Sequence, residues 1–180
     1  MKIAVVAAAG KAGRKIVAEA AARGIEVTGF VRTAAKIDGA KEVIVKGILA
    51  LKRSDLENFD AVVDAFGAWT PETYPLHSTT LKHLCDILSG SDVRLLVVGG
   101  AGSLYTNKEH SAQVMNAENF PVAVRPLAKA QAKALDELRE RNDVKWTFIS
   151  PAYNFQFEGE RTGKYIIGGE ELILNSAGEV

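Results

Sequence analysis

The chain has 180 residues, of which 47% are hydrophobic, and its 22 basic and 22 acidic residues give a formal net charge of zero. This length suits one domain with a substantial core, and the ordinary hydrophobic content excludes a disordered chain. The balanced charge argues against nucleic acid or an anionic membrane as the main partner, because both favour a basic surface.

The start of the chain reads as a strand and lacks the pattern of a secretion signal, and no run of about 20 apolar residues occurs that could span a membrane. Cys85 is the only cysteine, so an intrachain disulfide and a cysteine metal cluster are excluded. The three histidines have no metal-ligand spacing, so we predict no metal site. The sequence therefore predicts a cytoplasmic globular protein.

Short apolar runs alternate with amphipathic stretches along most of the chain. The runs predict strands at residues 3–7, 26–31, 42–45, 61–66, 93–98 and 145–150, and the amphipathic stretches predict helices at 11–23, 54–58, 75–89 and 127–141. Residues 104–125 are irregular and too long for an ordinary connection, which indicates a functional loop or lid. Residues 165–167 and 171–174 flank Gly168-Gly169 and predict a hairpin.

Strands that alternate with helices favour right-handed crossovers and a parallel sheet with helices on both faces. We therefore predict an α/β fold, a Rossmann-like doubly wound sheet in the order 3-2-1-4-5-6, with the flavodoxin-like order as the alternative. Residues 1–180 form a single domain in this interpretation, and residues 152–180 form a small loop or hairpin region on its substrate side.

The first strand and the first helix are joined by a turn rich in small residues, as in phosphate-binding turns. Gly10 would let the backbone approach a pyrophosphate, and Gly13 would let the helix pack closely on the strand. The free N–H groups at the start of the helix would attract the phosphate charge. The predicted cofactor-binding residues of this turn are Ala7, Ala9, Gly10, Lys11, Ala12 and Gly13. The alternative is a small-residue turn that binds no ligand.

Arg32 directly follows the second strand, where an acidic residue would bind the ribose of NAD and an arginine would bind the additional phosphate of NADP. Lys36 adds a second positive charge, and no acidic residue occurs before Asp38. The sequence therefore predicts that NADP(H) is preferred over NAD(H). The alternative is a solvated basic surface.

Longer motifs resemble a known family. They are residues 2–32, DAFGAW at 64–69, LLVVGGAGSLY at 95–105, WTFISPA at 146–152 and ERTGKY at 160–165. Together they resemble the atypical short-chain dehydrogenase/reductase family with one NAD(P)H-binding domain, in particular its bacterial NADH-flavin reductase subgroup. The mammalian flavin reductase/biliverdin-IXβ reductase is a more distant relative.

Two features depart from the family pattern. The family turn usually reads Gly-Ala-Thr-Gly, whereas this chain has alanine at positions 7 and 9. We therefore expect the backbone at Ala7 to keep an angle that alanine tolerates. Relatives also continue through a further helix and strand beyond the position of Val180.

The resemblance implies that the nicotinamide lies beyond the carboxyl ends of strands four to six. The residues it implicates in cofactor binding there are Ala65, Phe66, Gly67, Gly99, Gly100, Ser150 and Pro151. Ser103 resembles the serine beside the nicotinamide amide and the substrate, with loop stabilisation as its alternative role. Tyr105 and Tyr153 would line the substrate site or supply a proton, and their alternative role is packing.

The Tyr-x-x-x-Lys pair of carbonyl-reducing relatives is absent, since the residues four positions after the four tyrosines are Ser78, Glu109, Phe157 and Gly169. Reduction of a carbonyl creates an alkoxide that needs a positioned acid, whereas a conjugated ring spreads the arriving charge. The sequence therefore predicts an NAD(P)H-dependent oxidoreductase with a flavin, quinone or similar flat acceptor. A flavin would be a substrate and not a resident cofactor.

Two alternative functions follow from the same residues. The missing catalytic pair and the altered turn are also typical of a non-catalytic NADP(H)-binding regulatory or sensor module. A sugar-nucleotide epimerase is disfavoured, because the Tyr-x-x-x-Lys pair is absent and the substrate region is short. The predicted partner is a small-molecule acceptor, and the sequence favours no particular oligomeric state.

Overall fold

The computed structural model describes residues 1–152 and 155–174, and six parallel strands form one sheet at its centre. The strands are β1 (Lys2–Val6), β2 (Glu26–Val31), β3 (Glu42–Val45), β4 (Ala61–Asp64), β5 (Arg94–Val98) and β6 (Lys145–Ile149). Their order across the sheet is β3-β2-β1-β4-β5-β6. This confirms the predicted order and excludes the flavodoxin-like alternative.

Helices cover both faces of the sheet, as predicted. They are α1 (Lys11–Ala22), α2 (Arg53–Leu56), α3 (Leu76–Leu88) and α4 (Arg125–Arg139). On one face, Val17 of α1 packs with Val5 and Val27. On the other face, Leu84 of α3 and Leu138 of α4 pack with Leu95. Each fully buried leucine contributes about 1.5–3 kcal/mol, so these contacts fix both helical layers to the sheet.

The length and apolar character of the helices also bear on membranes. The longest helix, α4, has 15 residues. Among residues 1–152 and 155–174, no helix is long and apolar enough to cross a membrane.

The connection predicted at residues 104–125 is packed against α4. It contains short 3₁₀ turns at Val114–Asn116 and Val122–Val124. Val114, Met115 and Phe120 are buried, and they form a small third core with alanines of α4. The apolar residues of this irregular segment therefore anchor it to the helix.

The predicted hairpin around Gly168-Gly169 is wrong. No strand forms within residues 155–174, and the side chains of Tyr165, Ile166 and Ile167 are exposed. The backbone of Glu171 instead forms a parallel bridge with Tyr105, where the Tyr105 N–H donates to Glu170 O at 2.9 Å. The apolar pattern of residues 165–167 and 171–174 was misleading because this pairing partner lies far earlier in the chain.

Candidate functional site

A crevice opens at the carboxyl ends of β1 and β4, which are neighbours in the middle of the sheet. The helix α1 follows β1 onto one face, and α3 follows β4 onto the other. The two connections therefore diverge, and such a divergence is the usual ligand site of open parallel sheets.

The turn after β1 is held in a strained conformation. Ala7 has φ 57°, in the left-handed region, and its carbonyl oxygen accepts a hydrogen bond from the Gly10 N–H at 2.9 Å. The expectation that the backbone at Ala7 keeps an angle that alanine tolerates is therefore wrong, because this left-handed angle strains alanine. The turn geometry is the one that glycine provides, and alanine adopts it at a cost of about 1–2 kcal/mol.

Gly13 lets α1 approach this turn closely, as predicted. A Cβ atom on Gly13 would lie 2.5 Å from Ala7 O and 2.8 Å from Ala8 Cα. Gly10 is the extended residue before α1, and neither a side-chain cap nor an acidic residue satisfies the first turn of the helix. The residues of this turn therefore fit a pyrophosphate, because the helix offers free N–H groups and the backbone leaves room.

Arg14 connects the turn to the loop after β2. Its Nε donates to Ala9 O at 3.1 Å, and its Nη1 donates to Lys36 O at 2.9 Å. Arg32 and Lys36 are exposed in that loop, and Lys36 Nζ lies 3.6 Å from Asp38 Oδ1. Sequence reasoning missed Arg14, although a cation directly after Gly13 is a readable signal.

The carboxyl end of β4 carries a buried acid that sequence reasoning also missed. Asp64 is 4% exposed, and its Oδ1 accepts a hydrogen bond from the Phe66 N–H at 3.0 Å. Burial raises the pKa of Asp64 to about 6, and this single backbone hydrogen bond opposes the shift. The predicted strand at 61–66 runs past Asp64, whereas β4 ends at this residue, and the sequence signal is the single carboxyl group within that apolar run.

The residues after Asp64 include two aromatic rings, Phe66 and Trp69, beyond the carboxyl end of β4. The Phe66 ring contacts His77 of α3 edge to face, with 5.7 Å between the ring centroids. A Cβ atom on Gly67 would lie 3.0 Å from the indole ring of Trp69, which is 74% exposed. Ala65 is partly buried between Asp64 and Phe66.

Two glycines after β5 make room for side chains from the neighbouring elements. A Cβ atom on Gly99 would overlap the ring of Phe148, and one on Gly100 would overlap the amide of Gln131. Ser103 is 5% exposed, and its Oγ donates to Gly100 O at 3.4 Å. This bond is the loop-stabilising contact considered as the alternative role of Ser103.

Two cavities adjoin these strand ends, and the Phe148 ring belongs to the wall of both. The first is small, about 20 Å³, and is lined by Asp64, Phe66, His77, Leu81, Val97, Val98, Gly99, Gln131, Ala134 and Phe148. The second is larger, about 80 Å³, and is lined by Ser103, Leu104, Leu135, Arg139, Trp146, Phe148, Ser150, Gly169 and Glu170. The structure therefore brings Ser103 and Ser150 together in one cavity, and Pro151 follows directly.

Tyr105 lies elsewhere. Its ring stacks on His110 with 4.2 Å between the centroids, and His110 Nε2 lies 2.8 Å from Glu171 Oε1. Tyr105 lines neither of the two cavities and instead fastens residues 170–172 to the loop after β5. Tyr153, the other predicted tyrosine, lies outside the described residues.

Comparison with known proteins agrees with this geometry. A family model described as NAD(P)H-binding matches residues 7–177. The uncharacterised protein YwnB of Bacillus subtilis is 41% identical over 181 residues, which cover 99% of this chain and 84% of YwnB.

Solved structures give the same result. A Streptococcus pneumoniae protein described as "a putative NADH-flavin reductase" has a TM-score of 0.96 at 48% identity, covering 99% of this chain and 84% of that protein. A short-chain dehydrogenase/reductase superfamily protein from Agrobacterium tumefaciens, solved with NAD, has a TM-score of 0.59 at 20% identity. That match covers 83% of this chain and 48% of the other, and it supports the shared fold alone.

Proposed function

The chain belongs to the NAD(P)H-binding family, and from this premise we propose that it is an NAD(P)H-dependent oxidoreductase. Its acceptor in this proposal is a flavin, a quinone or a similar flat molecule, and NADPH is preferred over NADH. The observation that carries the proposal is the uncapped start of α1, which lies at a crevice beside two partly polar cavities.

Different residues of the turn after β1 would bind different parts of the cofactor. The N–H groups that begin α1 bind the pyrophosphate, with Gly10 and Gly13 leaving room for the approach. Gly99 and Gly100 at the end of β5 would lie beside the nicotinamide of a cofactor held in the crevice. When bound, the reduced nicotinamide supplies the hydride.

The cavity walls favour a flat acceptor. Phe148 and Trp146 provide aromatic surface, and Ser103 and Ser150 provide hydroxyl groups. Aromatic walls with a few polar groups suit a conjugated ring. The absence of the Tyr-x-x-x-Lys pair supports the same choice, because a conjugated ring takes up negative charge without that acid.

The preference for NADPH rests on cations at the outer end of the crevice. Arg32 and Lys36 are exposed, and Arg14 ties the loop that carries them to the phosphate turn. Contacts from such cations to the 2′-phosphate contribute about 1.5–3 kcal/mol, so NADPH should bind roughly ten- to a hundredfold more tightly than NADH.

Calorimetric titration with NADPH and NADH tests the cofactor proposal. Arg32→Asp should reverse the preference, because the new carboxylate repels the 2′-phosphate and accepts from the ribose hydroxyls. Arg53→Asp is the matched control, since Arg53 hydrogen-bonds Ser89 O, which precedes β5 at the opposite end of the sheet. Equal dissociation constants for the two cofactors in the unmodified protein would contradict the preference.

Oxidation of NADPH with FMN, a quinone and no acceptor tests the reaction. Turnover that depends on the acceptor supports the reductase. Tight binding without turnover on any acceptor would favour the NADP(H)-binding sensor, and absence of binding would reject both. The same proposal places the protein in the cytoplasm, with a small-molecule acceptor as its partner.

A further inference from the structure

Asp64 is a buried carboxyl group that has no cationic partner within residues 1–152 and 155–174. It is the last residue of β4, it pairs in register with Val6 and Val97, and it is 4% exposed. Among the described residues it forms no ion pair, and its hydrogen-bond partner is the Phe66 N–H. Burial of an unpaired carboxyl group opposes folding, so its presence beside a crevice points to a role in function.

The carboxyl group lines the first cavity together with two further polar side chains. His77 reaches it from α3 and Gln131 from α4, and Gly99 connects it with the end of β5. His77 Nε2 also lies 3.3 Å from Ala68 O, and the Gln131 amide packs against Gly100. A polar cavity of about 20 Å³ has room for one water molecule, which would bridge its side chains.

The titratable neighbours of Asp64 are uncharged at neutral pH. Burial lowers the pKa of His77, and burial raises the pKa of Cys85 on α3 to about 11. The residues of α4, β5 and β6 that line the cavity, from Val97 to Phe148, are not titratable. Among the side chains that line this cavity, Asp64 is therefore the carboxylic acid that can give up a proton.

We propose that Asp64 holds the proton that the reduced acceptor takes up, and that water in the first cavity passes this proton to the crevice beside Gly99. This inference rests on the proposed reductase function. The acceptor gains two electrons and one hydrogen with the hydride, and it carries a negative charge until it is protonated. The O–H bond of Asp64 breaks, the proton moves through water to the acceptor, and solvent later restores it.

The acidity of Asp64 suits this role. Because burial raises its pKa to about 6, the carboxyl group both carries and releases a proton near neutral pH. An exposed aspartate would be almost fully ionised there and would carry no proton to give.

A comparison of two acceptors tests the inference. A quinone needs a proton after it receives a hydride, whereas the methylene blue cation becomes neutral on receiving a hydride and needs none. Asp64→Asn should lower kcat with the quinone by about a hundredfold, the usual effect of losing a positioned acid. With methylene blue it should leave kcat unchanged, and the affinity for NADPH should also stay the same.

Asp60→Asn is the matched control, because Asp60 precedes the other end of β4, where it accepts from the Lys2 N–H at 2.6 Å. It should leave both activities unchanged. The amide oxygen introduced by Asp64→Asn can still accept from the Phe66 N–H, so this variant should fold, and thermal unfolding checks it. A carbon-13 titration of the carboxyl groups gives a readout that is independent of turnover, in which Asp64 should titrate near pH 6.

Each outcome decides a different point. An equal loss with both acceptors in Asp64→Asn would assign Asp64 a structural role. Unchanged turnover with the quinone would place the proton source in solvent, and titration of Asp64 near the ordinary aspartate value of about 3.9 would overturn the inference directly. If the unmodified protein binds NADPH but reduces neither acceptor, the proposed function fails and this inference fails with it.

Discussion

Replacing Ala7 with glycine should stabilise the protein. Ala7 holds φ 57° in the turn between β1 and α1, where its carbonyl oxygen accepts from the Gly10 N–H and lies close to Gly13. The turn cannot relax to a negative φ without losing these contacts. Glycine occupies the same angle without steric penalty.

Two opposing terms set the magnitude. Removing the left-handed alanine recovers about 1–2 kcal/mol, and the greater freedom of glycine in the unfolded chain costs about 0.4–1 kcal/mol. The net gain should be about 0.5–1 kcal/mol. In a protein of this size, each kcal/mol of added stability raises Tm by about 2–4 °C.

Urea and thermal unfolding without added cofactor measure the effect, since a ligand that binds the folded state would shift the midpoint. Ala9→Gly is the matched control, because Ala9 lies in the same turn but outside the left-handed region. That control should lose about 0.4–1 kcal/mol. The reasoning is refuted if Ala7→Gly lowers the midpoint as Ala9→Gly does.

Three further variants test other parts of the site. Gly13→Ala should destabilise the protein by about 1–3 kcal/mol, because its Cβ would lie 2.5 Å from Ala7 O, and unchanged urea unfolding would contradict this. Ser103→Ala should lower kcat about tenfold with little change in NADPH affinity, and unchanged kcat would leave Ser103 with its loop contact. Burial raises the pKa of Asp64 to about 6, so the contribution of Asp64 to stability is most favourable below about pH 4, falls as the pH rises towards 6 and is level above that. Asp64→Asn should remove this loss and gain roughly 3 kcal/mol at pH 8 relative to pH 4, and parallel stability curves would disprove it.

The middle strands of the sheet could be predicted from the sequence because they are buried on both faces. β2 and β4 are almost wholly buried, and such strands appear as unbroken apolar runs. The site was harder to predict where it depends on distant residues. Asp64 ends an apolar run and gives no sign of the cavity, which forms only when His77 and Gln131 arrive from two later helices.

Backbone geometry was the other limit of sequence reasoning. The left-handed angle of Ala7 follows from the position of Gly13 and α1, and it is not visible in the residue type. The position of Tyr105 could not be predicted from the sequence either, because it depends on the bridge to Glu171 and on stacking against the ring of His110.

The exposed indole of Trp69 gives the protein a built-in optical reporter. The chain has two tryptophans, and the other, Trp146, is half-buried and donates to Arg141 O at 3.2 Å. Trp69 lies against Gly67, at the mouth of the crevice. Its fluorescence therefore comes from the region where a reduced nicotinamide, which absorbs at the wavelengths of tryptophan emission, would quench it by energy transfer. In Trp69→Phe the remaining tryptophan emission comes from Trp146 alone. Subtracting it from the emission of the unmodified protein therefore gives the fluorescence of Trp69.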